Sequence, residues 1–291
     1  MRALARSAAA AVFVFALELG ALGQTRLACG PAVATCGPAI VEVGASTAGS
    51  SWVSSMLAVW FLDEVSGTRV NAQGTTSRDL TNVTGTDPTS STDAKQGPRS
   101  AVFAGNQARW TNDTFPALVS PITAGCWVKG ALTGNNSFMM HDYQTAAGSF
   151  KLMRNINGYE FDVYDASATL HWCGGIAAGN TWAHVVGTVV SGDTVKTYIN
   201  GLQGCTTPMG TSAARNQVLY LGENNIWSGQ LDECFVTDQL LSPAAICRLC
   251  SCGMDGALCM CAGASFVTKG RNASECNSCA LPANCSAATP P

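Results

Sequence analysis

Two acidic residues, Glu160 and Asp162, stand two positions apart in the segment EFDVYD. Alternate residues of a strand share a face, so we expect both carboxylates to point the same way. Paired carboxylates on one face can hydrolyse a glycosidic bond, one as the nucleophile and the other as the acid and base. The next position on that face is Tyr164, however, and Asp165 points to the opposite face. We therefore expect a solvated strand edge, with Phe161 buried beneath it, rather than a catalytic pair.

The three histidines, His141, His171 and His184, lie in different predicted strands. No serine or cysteine stands beside any of them in a nucleophile motif, so the sequence does not support a hydrolytic triad. His184 lies close to Trp182 in an apolar segment. That setting favours a hydrogen-bonded structural residue over a catalytic or metal-binding one.

Four aromatic residues fall at predicted strand ends or in loops. Aromatic side chains there could stack on sugar rings, or they could cover the hydrophobic core, and the sequence leaves both interpretations open. These residues are Trp110, Tyr143, Trp172 and Trp227.

The N-terminus has the features of a secretory signal peptide, because Arg2 and Arg6 precede the apolar segment 8–17 and a small-x-small cleavage site. The apolar segment is too short to span a bilayer, which takes about 20 residues. We predict a signal peptide over residues 1–23, a flexible arm over 24–55, and a secreted or extracellular protein. No later segment is apolar and long enough to predict a membrane span.

The fourteen cysteines form an even set, as is usual in exported proteins whose cysteines are bridged. Eight of them lie in the last part of the chain, where two C-x2-C pairs leave zinc binding open as an alternative. We favour disulfides because the cysteines follow an export signal. The predicted disulfide cysteines are Cys29, Cys36, Cys126, Cys173, Cys205, Cys234, Cys247, Cys250, Cys252, Cys259, Cys261, Cys276, Cys279 and Cys285.

The composition argues against nucleic acid as a partner. Charged residues make up 12% of the chain, about half of the usual ~25%. The net charge is −3, so the protein has no basic field that would attract nucleic acid.

The segment 181–201, TWAHVVGTVVSGDTVKTYING, predicts a central β-hairpin. Its first half is apolar on both faces, which suits a strand covered on both sides. In its second half, the residues that share one face alternate with those that share the other. Asn200-Gly201 then supplies a tight turn, because both residues tolerate positive φ. Further short strand patterns follow one another at even spacing between turn signals. This spacing indicates an all-β sandwich or barrel.

Four stretches together resemble the LamG-like jelly roll of the concanavalin A-like lectin/glucanase superfamily. They are VWFLDEVSG, AGCWVKG, the hairpin segment, and VLYLGENNIWSGQLDECFVTDQLLSPAAI. The resemblance covers residues 56–246 and implies two stacked antiparallel sheets. After Ser242-Pro243, which predicts the start of a helix, residues 247–291 are expected to form a small disulfide-rich module.

The resemblance also implies particular sites. LamG-like relatives often hold one structural calcium ion, and Asp232 with Asp63 are its expected ligands here. The strands of Cys126 and Cys234 are neighbours in this family, which implies one bridge. Cys173 and Cys205 flank the hairpin and form the second expected bridge. Family-16 glycoside hydrolases share the fold and carry E-x-D-x-E or E-x-D-x-x-E on one strand, a pattern that the segment EFDVYD matches only in part.

The sequence therefore predicts a secreted, non-catalytic recognition module for carbohydrate binding or cell-surface adhesion. Its expected partner is an extracellular glycan or a surface protein. Two alternatives stay open at this point. One is a secreted glycoside hydrolase that uses Glu160 and Asp162, and the other is a structural component of a surface layer.

Overall fold

The computed structural model describes residues 52–84, 87–104, 108–115, 121–130, 137–142, 147–155, 158–176, 180–213, 217–222 and 227–252. The predicted signal peptide, most of the predicted arm and the cysteines outside residues 126–252 lie outside this range. The described residues form two stacked antiparallel sheets, and this arrangement confirms the predicted all-β jelly-roll sandwich. Within them, no helix is long and apolar enough to cross a membrane.

In the described part of the chain, fifteen strands make up the two sheets. In chain order they are β1 (Ala58–Trp60), β2 (Leu80–Thr84), β3 (Thr89–Ser91), β4 (Ser100–Ala104), β5 (Ala108–Phe115), β6 (Ile122–Lys129), β7 (Ser137–His141), β8 (Phe150–Asn155), β9 (Gly158–Tyr164), β10 (Leu170–Ile176), β11 (Ala183–Val189), β12 (Thr194–Ile199), β13 (Leu202–Pro208), β14 (Gln217–Leu221) and β15 (Ser228–Thr237). Two short 3₁₀ helices, Trp52–Ser55 and Thr76–Arg78, and one α-helix complete the fold.

The eight-stranded sheet has the order β13-β12-β11-β6-β15-β4-β3, with β1 also paired to β15. The seven-stranded sheet has the order β10-β9-β8-β7-β14-β5-β2. Many neighbouring strands are distant in the chain, so the register of each sheet depends on contacts that a local pattern does not show.

The predicted central hairpin is β11 and β12. Every residue of β11 is buried, and the strand lies between β12 and β6 in the eight-stranded sheet. The turn after β12 contains Asn200 at φ 52° and Gly201 at φ 82°. Both residue types adopt this left-handed conformation at low cost, which explains the tight reversal into β13.

The main hydrophobic core lies between the inner faces of the two sheets. Val185 and Val189 of β11 face Phe161 and Val163 of β9 across this core, and all four side chains are buried. Gly187 occupies the position between the two valines, and a Cβ atom there would collide with the ring of Phe161. A side chain at position 187 is therefore excluded by the close packing of the two sheets.

The helix α1 (Pro243–Cys252) packs on the outer face of the eight-stranded sheet. Ser242 caps it, because the Ser242 hydroxyl accepts a hydrogen bond from the amide of Ala245 at 3.1 Å, as the Ser-Pro start predicts. Ile246 and Leu249 are buried against the sheet. The predicted domain boundary after Ile246 thus falls inside a helix that is continuous with the sandwich.

Two disulfides have both of their cysteines among the described residues of the sandwich, and both pairings are as expected, the first from the neighbouring strands of the family and the second from the positions that flank the hairpin. Cys126 and Cys234 join the adjacent strands β6 and β15, with their Cα atoms 4.1 Å apart. Cys173 and Cys205 join β10 to β13, which are the edge strands of opposite sheets, with their Cα atoms 5.6 Å apart. The second bridge therefore closes one side of the sandwich.

Candidate functional site

The outer face of the seven-stranded sheet carries one row of polar and aromatic residues that crosses six strands. The row follows the register from β10 through β9, β8, β7 and β14 to β5, and residues opposite one another in register share a face. We call it the outer-face row. Its residues are Trp172, Asp162, Lys151, His141, Tyr220 and Trp110.

Glu160 and Asp162 of β9 share the outer face as predicted, while Phe161 lies in the core. The expectation of a solvated strand edge is wrong in two respects. β9 is not an edge strand, because it pairs with both β8 and β10. Both carboxylates are also nearly buried, since each residue is only 7% exposed. Gly174 on β10 lies directly opposite Glu160, and any side chain at position 174 would collide with it.

Burial has a clear electrostatic consequence for Asp162. It raises the pKa of the Asp162 carboxyl to about 7, and the nearby Glu160 contributes to the rise, while Lys151 opposes it. Asn155 donates a hydrogen bond from its amide nitrogen to Oε1 of Glu160 at 2.6 Å. The two carboxyl groups therefore have different environments, and Asp162 takes up a proton near neutral pH.

Lys151 links the acidic and the aromatic parts of the outer-face row. Its ammonium nitrogen lies 4.7 Å from the ring centroid of Phe138 and 5.5 Å from that of Tyr164. These distances are within the range of cation–π attraction. The lysine is held beside Asp162, its register partner on β9.

His141 is a structural member of the row. Its ring stacks on Tyr220 at 5.2 Å with an interplanar angle of 13°, and its Nε2 lies 3.3 Å from the carbonyl oxygen of Gly222. Burial lowers the pKa of His141 to about 4; the contact with the Gly222 carbonyl opposes this fall and the charge of Lys151 contributes to it. The ring is therefore neutral at physiological pH and cannot serve as an acid there.

The structure gives Asp165 a turn-forming role. Its Oδ1 accepts the amides of Ser167 at 2.8 Å and Thr169 at 2.9 Å, and its Oδ2 pairs with Nε2 of His171 at 2.9 Å. The hydrogen bond from His171 lowers the pKa of Asp165, and so do the bonds from the backbone. The third outward position on β9 is Tyr164, so this strand presents two carboxylates and no third.

The predicted aromatic platforms separate into different environments. Trp172 is 53% exposed and lies beside Asp162 on the outer face. Trp227 is fully buried in the core, so it covers the core as the second interpretation expects. Trp110 occupies a register position opposite Tyr220. Tyr143 lies outside the described residues.

His184 lies on the outer face of the eight-stranded sheet, where its ring is 5.2 Å from that of Trp127. Its amide donates a hydrogen bond to Oδ1 of Asn200 at 2.8 Å, and its carbonyl oxygen accepts the Asn200 amide at 2.8 Å. The backbone of His184 is thus hydrogen-bonded to Asn200 in the turn that follows β12.

The two predicted calcium ligands flank the same loop. Oδ2 of Asp232 accepts the amides of Lys95 at 2.6 Å and Gln96 at 3.0 Å, and Oδ1 of Asp63 accepts the amide of Arg99 at 3.1 Å. Among the described residues, no three acidic, histidine or cysteine side chains form a metal cluster. Calcium takes six to eight oxygens, so an ion here would need backbone carbonyls and water for most of them. The calcium site stays a prediction.

The change in Tm when a chelator removes calcium tests this prediction directly. If calcium binds at Asp232, removing it should lower Tm by several degrees, because calcium at about 100 times Kd contributes about 2.7 kcal/mol. Asp232→Asn should remove the dependence on calcium. If neither chelator nor added calcium changes the melting curve, Asp232 acts only by holding the loop at Lys95 and Gln96.

Sequence reasoning missed Lys151 as a member of the candidate site. Lys151 alternates with Phe150 and Leu152, which are buried, but this local pattern does not show which strand lies beside the lysine. Only the pairing of β8 with β9 brings it beside Asp162.

The comparisons with known proteins agree with the jelly-roll fold. The family model described as the concanavalin A-like lectin/glucanases superfamily matches residues 102–247, which is half of the chain. A search of curated protein sequences found no match.

Solved structures with the same fold include two binding domains. The botulinum neurotoxin serotype D ligand binding domain, solved in complex with N-acetylneuraminic acid, has a TM-score of 0.53 and 14% identity over 67% of this chain and 50% of that one. The binding domain of Paraclostridial Mosquitocidal Protein 1 has a TM-score of 0.52 and 11% identity over 69% and 52%.

A structure of botulinum neurotoxin type C, whose cell entry is described as dependent on two ganglioside molecules, has a TM-score of 0.50 and 12% identity over 66% of this chain and 49% of that one. The chain thus spans about half the length of these relatives. At such identities the likeness shows the fold alone.

Proposed function

Because this chain belongs to the concanavalin A-like lectin/glucanases superfamily, we propose that it is a recognition module that binds a carbohydrate on the outer face of its seven-stranded sheet. The observation that carries the proposal is the exposed Trp172 beside Asp162 and Lys151 in one row. An aromatic surface with polar groups next to it matches the two kinds of surface that a sugar ring presents.

The chemistry of each residue follows from its position. The indole of Trp172 offers a flat apolar surface for the C–H face of a sugar. Asp162 accepts hydrogen bonds from hydroxyl groups when it is ionised, and Lys151 donates them. The low exposure of Asp162 means that only the polar edge of a ligand reaches it.

The relatives support a glycan as the ligand class. The printed descriptions of two of them name N-acetylneuraminic acid and gangliosides. Export to the cell surface is part of the proposal, since the Cys126–Cys234 and Cys173–Cys205 bridges suit an oxidising compartment. Adhesion through a surface glycan is the corresponding biological role.

A glycan array with the full chain tests the proposal. We expect binding to at least one glycan, and Trp172→Ala should weaken that binding at least about tenfold, or about 1.4 kcal/mol. Leu202→Ala is the matched control, because Leu202 is 54% exposed and lies on β13 of the other sheet. The control should bind as the wild type does.

Three results would count against the proposal. An array on which the wild type binds nothing would favour a structural surface component, which electron microscopy of assemblies would then detect. Hydrolysis of a bound glycan, lost in Glu160→Gln, would establish the glycosidase alternative instead. Unchanged binding by Trp172→Ala would place the ligand on another face.

A further inference from the structure

Three hydrogen-bond donors converge at one end of the hydrophobic core. Arg154 on β8 and Tyr159 on β9 are register partners and both face the core. The guanidinium carbon of Arg154 lies 4.8 Å from the ring centroid of Trp227. The cluster lies beside Gly130, where any side chain would collide with the guanidinium group. β6 ends and β15 begins next to this point, so the cluster lies at an end of the sandwich.

Among the described residues, these donors meet no hydrogen-bond acceptor. Arg154 and Trp227 are 0% exposed and Tyr159 is 1% exposed. Within the part of the chain that the structure describes, the three guanidinium nitrogens, the Tyr159 hydroxyl and the indole nitrogen of Trp227 have no hydrogen-bond partner. Burial raises the pKa of Tyr159 to about 12, so its hydroxyl remains a donor at neutral pH.

A second buried arginine differs from Arg154 because acceptors reach both of its terminal nitrogens. Arg69 is 1% exposed, donates to the carbonyl oxygens of Glu64 and Pro88, and lies 3.7 Å from the Glu64 carboxylate. A buried guanidinium group without such acceptors is costly, because it loses its hydration and gains nothing in return. The Arg154 cluster therefore needs an acceptor.

We propose that the cluster of Arg154, Tyr159 and Trp227 binds the carboxylate group of a small ligand. A carboxylate has only acceptors and its two oxygens match the fork of a guanidinium group. The hydroxyl and indole donors complete its hydrogen bonds. This site is separate from the outer-face row, because Arg154 faces the core whereas Lys151 faces outward on the same strand.

The test compares acids with neutral molecules of the same shape. Acetate and glucuronate should raise the Tm of the full chain by several degrees at constant ionic strength, while acetamide and glucose should not. Tyr159→Phe should reduce the shift, and Arg154→Lys should reduce it further because lysine lacks the bidentate fork. Arg154→Met should abolish the shift.

The Tm of the variants without ligand gives an independent readout. Arg154→Met should leave the Tm of the ligand-free protein unchanged or higher, because methionine removes an unpaired buried charge. Arg69→Met is the control and should lower Tm, since it leaves the carbonyl oxygens of Glu64 and Pro88 without the guanidinium donors that now reach them. An equal fall in Tm for both variants, with no response of the wild type to acetate or glucuronate, would show that Arg154 is satisfied within the chain and would overturn the proposal.

Discussion

Replacing Cys126 and Cys234 together by alanine is expected to lower the free energy of unfolding by about 4–5 kcal/mol. The bridge closes a loop with a sequence separation of 108 residues. A loop on the order of 100 residues loses about 4.7 kcal/mol of chain entropy in the unfolded state when it is cross-linked. Urea unfolding of the oxidised wild type and of the double variant measures the difference.

The Cys173–Cys205 bridge supplies the matched comparison. Its sequence separation is 32 residues, so its double alanine variant should lose about 1 kcal/mol less than the Cys126–Cys234 variant. The shorter loop also joins the two sheets, and both cysteine pairs are partly or fully buried. Equal losses in the two variants would mean that packing, rather than loop length, sets the contribution of these bridges.

Asp162→Asn is expected to stabilise the protein above pH 7 by up to about 4 kcal/mol. The folded pKa of Asp162 is about 7, whereas an unfolded aspartate has a pKa of about 3.9, so the folded state binds more protons between these values. Stability from this residue is therefore complete below about pH 4, falls as pH rises to about 7, and stays low above it. Asparagine does not ionise and so avoids this loss.

Denaturant unfolding of wild type and variant across pH 4–8 checks this expectation. The two proteins should be most alike near pH 4 and should diverge as pH rises. Asp165→Asn is a control of opposite sign, because hydrogen bonds lower the pKa of Asp165. Its stabilising effect is present at neutral pH and is lost as pH falls, so that variant should approach the wild type at low pH. A constant difference for Asp162→Asn would rule out the buried, protonated carboxyl.

Local sequence patterns predicted the elements whose residues alternate or are uniformly apolar. The β11–β12 hairpin follows from its β-branched residues, its Asn200-Gly201 turn and its continuous apolar first half. β13, LQGCTTP, was missed because its residues are largely exposed and polar, as an edge strand permits. Its place in the sheet depends on pairing with β12 rather than on its own pattern.

The candidate sites were less predictable because they depend on contacts between distant strands. The alternation in EFDVYD placed Glu160 and Asp162 on one face, but their burial depends on the strands on either side. Arg154 gives no signal in the sequence, since a basic residue near a strand end is usually solvated. Its burial follows from the packing of Trp227, which arrives from a segment far along the chain.

The position of α1 distinguishes the two outer faces of the sandwich. The helix covers the outer face of the eight-stranded sheet, whereas Trp172 lies on the outer face of the seven-stranded sheet, across the full thickness of the sandwich. The last described residue, Cys252, ends α1 and so lies on the side of the eight-stranded sheet. A partner that contacted α1 would therefore leave the face of Trp172 uncovered. Such a contact and the ligand binding proposed at Trp172 would then not compete for the same side of the domain.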